Sequence, residues 1–250
     1  MIIFDFDGVL IDSVEEVVVS AYNTITGSLC TSLEELDPGF LRNFLKFRHH
    51  YKSSGEIHSL ATWCLNEKDN PDAVLTKDHF HAILDSQEDK LLEQGELFFA
   101  TRNKFAEKDL DKWLKLNKPY EPLWSELKKI DPKEVLILTN KNRFAVEHIT
   151  KHFGINVPIE QIYSADGGAT KQENFEKIKV NHPSNFYYFI DDALRNLEKL
   201  CKVEPDPEKL SLILSTWGYI EEDDIEKARD LGFLIYNQDD AVTLIEAVYT

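Results

Sequence analysis

The stretch Met1-Ile-Ile-Phe-Asp5-Phe-Asp7-Gly8-Val-Leu-Ile-Asp-Ser13 decides the fold. A short apolar run, Met1 to Phe4, ends in two carboxylates separated by a single phenylalanine. Residues i and i+2 of a strand point to the same side. Asp5 and Asp7 therefore stand together at the end of a buried strand. Adjacent buried anions are costly unless they are compensated, and a divalent cation with a preference for carboxylates, a carbonyl and water supplies the compensation. Gly8 permits the sharp exit from the strand.

Further apolar runs follow the same design. Glu134 to Thr139, Phe186 to Asp192, Leu210 to Thr216 and Phe233 to Tyr236 are continuous rather than alternating, as strands covered on both faces are. Helical patterns lie between them. One carries Phe144, Val146, Ile149 and Phe153 and ends at Gly154; another carries Val242, Ile245 and Val248. This alternation predicts a doubly wound α/β core, a Rossmann-like parallel sheet. The first two strands are separated by more than a hundred residues that read as helix. Val14, Val17, Val18, Ala21, Tyr22 and Ile25 form one stripe, with Ser13 and Glu16 spaced as a capping box. Phe40, Leu41, Phe44 and Leu45 form a second; others run through His79 to Leu92 and Leu97 to Leu114. The expected organisation is a core of residues 1–13 and 120–250 with a helical insert over 14–119, whose return boundary falls between 95 and 120.

The composition narrows the function. The chain has 250 residues, 42% of them hydrophobic, and a net charge of −17. That charge disfavours non-specific binding to nucleic acid or an anionic membrane surface. Cys30, Cys64 and Cys201 are odd in number, far apart and without zinc spacing, which fits a reducing, cytoplasmic setting. The apolar start is too short for a signal peptide or membrane span.

In an open α/β sheet, ligands bind at the carboxyl ends of the strands. Here those ends deliver Asp5 and Asp7, then Thr139-Asn140-Lys141, then Asp191-Asp192, and the segment before the next long helix carries Gly167, Gly168, Thr170 and Lys171. A carboxylate can attack phosphorus, while a hydroxyl, a lysine and Mg²⁺ hold the phosphoryl oxygens. The order Asp5-Phe-Asp7-Gly-Val-Leu-Ile-Asp-Ser13, Leu138-Thr139-Asn140-Lys141, Lys171 and Ile190-Asp191-Asp192 resembles the four motifs of the haloacid dehalogenase superfamily. Tyr120 to Leu127 and Thr216-Trp-Gly-Tyr219 resemble further segments of that family, and the insert is similar in position and helicity to its C1-type cap.

The resemblance implies Asp5 as nucleophile and Asp7 as general acid/base with a carbonyl for Mg²⁺. It implies Thr139 and Lys171 as phosphoryl holders and Asp191 or Asp192 as the remaining metal ligand. Gly8, Asn140 and, in the basic stretch of the insert, Arg42 are candidate substrate contacts, with Lys46 and Arg48 nearby. The true dehalogenases lack the second aspartate, so Asp7 favours phosphoryl transfer. Two positions depart from the family pattern. Asn196 stands where a second acid is usual, and Lys171 is followed by Gln172 instead of proline. The expected activity is a Mg²⁺-dependent phosphatase acting on a small phosphorylated metabolite through an aspartyl-phosphate, in a monomer or weak homodimer. A phosphomutase, or a binding protein with a relict site, is the alternative. Thr139-Asn140-Lys141 is similar to phosphoglycolate-phosphatase-like members.

Overall fold

The computed structural model describes residues 1–221 and 223–249. The chain divides into two compact units, one formed by Met1–Asp12 with Lys118–Thr250 and one by Ser13–Asn117.

In the first unit, eight strands are described, six of them in one parallel sheet. They are β1 (Ile2–Phe4), β2 (Ile11–Asp12), β3 (Lys118–Pro119), β4 (Leu136–Leu138), β5 (Ile162–Tyr163), β6 (Tyr187–Asp191), β7 (Leu210–Ser215) and β8 (Leu234–Tyr236). The six-stranded order is β5-β4-β1-β6-β7-β8, and β2 pairs with β3 in a separate antiparallel ribbon. Register places Phe4 beside Ile137 on one side and Ile190 on the other. From β1 the chain builds outward through β4 and β5, then returns to β6 and builds the other way. The switch point lies between β1 and β6, where open α/β sheets bind ligands.

The apolar runs are continuous because both faces are covered. Ile3, Leu136, Leu138, Phe189, Leu212 and Leu214 pack with Phe175 and Ile178 of the helix Lys171–Asn181 and with Leu197 and Leu200 of the helix Leu194–Val203. Strand β1 stops at Phe4, at the apolar-acidic junction. Asp5 still donates its N–H to Ile190 O at 2.8 Å, so the ladder to β6 runs on to the first carboxylate.

The second unit consists of helices Val14–Thr26, Pro38–Phe47, Ser54–Asn66, Lys77–Asp85, Leu91–Lys108 and Leu110–Lys115, with short 3₁₀ turns between them. Its core is aromatic. Phe40 packs edge-on against Tyr22 with centroids 5.0 Å apart, and Phe47 against Trp63 at 5.2 Å. Phe98, Phe105 and Trp113 are also fully buried. Asp37 caps Pro38–Phe47, accepting from the N–H groups of Gly39 and Phe40 at 2.9 and 3.1 Å.

The capping box expected at Ser13 and Glu16 is absent. Ser13 makes no side-chain cap bond. Glu16 instead turns inward, where its Oε1 accepts from Arg102 Nε at 2.9 Å, Trp113 Nε1 at 3.0 Å and Ser20 Oγ at 2.7 Å. A buried guanidinium outcompetes a local backbone N–H for a carboxylate. A capping box does form in the other unit, between Thr170 and Glu173 at the start of Lys171–Asn181.

Candidate active site

Strands β1 and β6 bring three carboxylates together. An oxygen of each of Asp5, Asp191 and Asp192 lies within 4.8 Å of the others, and all three residues are buried. Lys171 enters the same space from the first turn of its helix. Its Nζ donates to Asp191 Oδ2 at 2.5 Å and lies 2.9 Å from Asp5 Oδ1. The Phe189 ring lies below, 5.4 Å from the ammonium. Thr170 fixes where Lys171 begins, because its capping box sets the first helical residue.

The two adjacent aspartates of β6 have different surroundings. Asp191 accepts from Lys171, from Ala193 N at 2.8 Å and from Asn196 Nδ2 at 3.0 Å. Asn196 thus occupies the second-acid position as a donor to Asp191. Asp192 Oδ2 accepts the N–H of Tyr219 at 2.6 Å. The Tyr219 hydroxyl in turn donates to Asp12 Oδ1 at 2.5 Å, and Trp217 Nε1 donates to Val9 O at 3.0 Å. The Thr216–Tyr219 loop is therefore bound to both the β6 end and the loop after β1.

This close approach needs glycines. A Cβ on Gly8, whose φ is +85°, would stand 2.0 Å from Asp192 Oδ2. A Cβ on Gly218 would stand 2.4 Å from both Asp192 Cβ and Gly8 O.

Three carboxylates crowd together here, and the Lys171 ammonium contacts two of them, Asp5 and Asp191. Burial first, then the neighbouring Asp191 and Asp192, push the Asp5 carboxyl well above its ordinary range, although Lys171 opposes this. Burial alone would lower the Lys171 ammonium, but Asp191 and Asp5 more than offset it and its pKa is raised. Asp5 Oδ1 is buried, with the Lys171 ammonium 2.9 Å away. An all-oxygen set of three closely spaced, buried carboxylates fits a hard divalent cation.

Asp7 lies on the loop after β1, and its Oδ1 accepts from Lys141 Nζ at 3.0 Å. The Lys141 ammonium is buried beyond β4. Thr139, also buried, accepts from Lys141 N at 3.1 Å and donates its own N–H to Tyr163 O, which sets the loop at the end of β4. Asn140 follows in the same loop. Arg42 belongs to the helical unit, where its guanidinium donates to Lys68 O at 3.0 Å and Asn70 O at 3.3 Å. Lys46 donates to Ala73 O at 2.9 Å. These basic side chains hold the loop that follows Ser54–Asn66. Lys141, quoted in the second motif, has no role assigned by the sequence; its signal there is its place two residues after the hydroxyl at a strand end.

A family profile of haloacid dehalogenase-like hydrolases matches residues 1–204. The chain belongs to that family. Solved structures agree at the level of fold. A protein described as a predicted phosphatase from Clostridium acetobutylicum is 17% identical, with a TM-score of 0.57 over 99% of this chain and 98% of its own. A hydrolase from Pseudomonas syringae is 15% identical, with a TM-score of 0.55 over 100% and 99%. A hydrolase of the same family from Deinococcus radiodurans, solved with bound phosphate and sodium, is 14% identical, with a TM-score of 0.51 over 98% and 95%. No curated protein matches. Among the described residues, no helix is long and apolar enough to cross a membrane.

Proposed function

We propose that this haloacid dehalogenase-like hydrolase is a Mg²⁺-dependent phosphatase that hydrolyses a small phosphorylated metabolite through a phosphorylated Asp5. The observation that carries this reading is the cluster of three buried carboxylates, Asp5, Asp191 and Asp192, beside Lys171 at the β1–β6 switch point. Asp5, the Asp7 carbonyl and Asp192 would hold the cation, with Asp191 anchored on Lys171 and Asn196. The cation would neutralise phosphoryl oxygens and keep Asp5 ionised.

Asp5 attacks phosphorus, forming the Asp5 O–P bond as the ester O–P bond breaks. Asp7 gives its proton to the departing alkoxide. Water then attacks phosphorus and delivers a proton to Asp7, the Asp5 O–P bond breaks, and inorganic phosphate leaves. Lys171 and Thr139 hold the equatorial oxygens, as preorganised donors do in phosphoryl transfer. The phosphate seen with the Deinococcus radiodurans relative is consistent with this use of the fold.

A panel of phosphorylated metabolites, assayed with Mg²⁺ for released phosphate, tests the reading. Asp5→Asn keeps the side-chain shape and removes the attacking oxyanion, so turnover should fall by about a thousandfold or more. An Asp5→Asn variant with near-normal turnover would refute the assignment.

A further inference from the structure

The two aspartates of the first loop each meet a different buried lysine. Lys171 serves Asp5 and Asp191, while Lys141 serves Asp7. We propose that Lys141 is a positioning residue for the acid/base Asp7, an assignment that rests on the phosphatase reading above.

The geometry supports the role in three ways. Asp7 sits in the tight loop after β1, with its side chain 26% exposed. Lys141 is one of the groups that hold its carboxylate. In burial the lysine is the opposite, its side chain having no exposed area. An ammonium withdrawn from water needs an anionic partner, so the pair is held from the lysine's side. The lysine backbone is fixed as well, because its N–H donates to Thr139 Oγ1 at 3.1 Å. With Oδ1 held by Lys141, the rotation of the Asp7 carboxylate is set and so is the direction of Oδ2. A general acid must present its proton to the leaving oxygen within hydrogen-bond reach, and small misplacements cost rate. Lys141 itself transfers no proton. In the first step the proton passes from Asp7 to the ester oxygen as the O–P bond breaks, and in the second from water to Asp7.

This role predicts a dependence on the leaving group that a purely structural lysine would not produce. A good leaving group departs without protonation, while a poor one needs the acid. The probes are p-nitrophenyl, p-chlorophenyl and phenyl phosphate, assayed with Mg²⁺ for wild type, Lys141→Gln, Lys141→Arg, Asp7→Asn and the Lys141→Gln/Asp7→Asn double variant. Lys141→Gln should lose about 100-fold in kcat on phenyl phosphate and less than about 5-fold on p-nitrophenyl phosphate, the scale of a displaced general acid. In the Asp7→Asn background the further loss on phenyl phosphate should fall below about 3-fold, because residues acting as one unit are not additive. Lys141→Arg should recover part of the phenyl phosphate rate.

Equal losses across the three probes, additive with Asp7→Asn, would overturn the proposal and make Lys141 a phosphoryl contact. Should Lys141→Gln fail to fold, Lys141→Arg carries the test, and a uniform loss across the series would again overturn it. A wild type inert toward all three probes and toward the metabolite panel would overturn the phosphatase reading itself. An active wild type with a flat Lys141 response overturns this assignment alone.

Discussion

In the helical unit Glu16 is fully buried, and its Oε1 receives a guanidinium, an indole N–H and a hydroxyl. In the sheet unit Asp5, Asp191 and Asp192 are buried as well, and the Lys171 ammonium contacts the first two of them. Both are buried ionic clusters and both perturb a sequence pattern. They differ in arrangement. The Glu16 oxygen receives three donors, a guanidinium among them, which is how a fold tolerates a buried ion. The aspartates instead crowd three carboxylates within 4.8 Å of one another at the end of the sheet. That crowding is what the proposed cation would relieve.

The largest stability effect should come from the Glu16 cluster. Glu16→Ala removes the carboxylate 2.9 Å from the buried Arg102 Nε, although the Phe98 ring remains 4.5 Å from the guanidinium. Unfolding in urea should show a loss of about 3–5 kcal/mol, the cost of breaking one side of a buried pair. A loss below about 1 kcal/mol, the value of an exposed pair, would mean that the cluster is not held by its charges.

Gly218→Ala comes next. Its Cβ must displace Asp192 or the Gly8 carbonyl, both 2.4 Å away. Overpacking of this kind costs about 1–3 kcal/mol. Because the displaced groups belong to the cluster, Mg²⁺-supported phosphatase activity should fall as well. Unchanged activity with lowered stability would separate the Thr216–Tyr219 loop from the chemistry.

Asp37 gives the smallest effect and a pH signature. The N–H of Phe40 chiefly, with that of Gly39 and the Lys68 ammonium, holds its carboxyl below its ordinary 3.8. A lowered folded-state pKa contributes stability that is complete above 3.8 and is lost as the pH falls through the folded value. Asp37→Ala should therefore cost about 1 kcal/mol near neutrality, the usual value of an N-cap. The difference from wild type should shrink in acid below that range. A difference that persists unchanged in acid would assign the cost to packing.

The fold class was legible because burial on both sheet faces forces continuous apolar runs, and polar residues follow where those runs stop. Asp5, Thr139 and the Asp191–Asp192 pair could be read this way, since each follows directly from a strand or closes one. Strand β5 was not legible, having only two residues, and neither was the β2–β3 ribbon. Short ladders leave no periodicity to read. The partners of Glu16 and Lys141 were hidden for another reason. Arg102 is 86 residues from Glu16 and Asp7 is 134 from Lys141, so local spacing encodes neither pair. Ser13-x-x-Glu16 has the local signature of a cap, and a distant guanidinium overrode it. The Asn196 and Tyr219 contacts, on which the proposal of Asp192 over Asp191 as metal ligand rests, are not specified by the sequence.

The central claim is that the cluster of Asp5, Asp191 and Asp192 is completed by a divalent cation. Calorimetric titration of Mg²⁺ into wild type, Asp192→Asn and Glu16→Gln tests it directly. The account predicts one Mg²⁺ site in wild type and in folded Glu16→Gln, with binding abolished or weakened by about tenfold or more in Asp192→Asn, as when one charged ligand of a hard cation is removed. Wild-type affinity in Asp192→Asn, or no Mg²⁺ binding by the wild type, would contradict it.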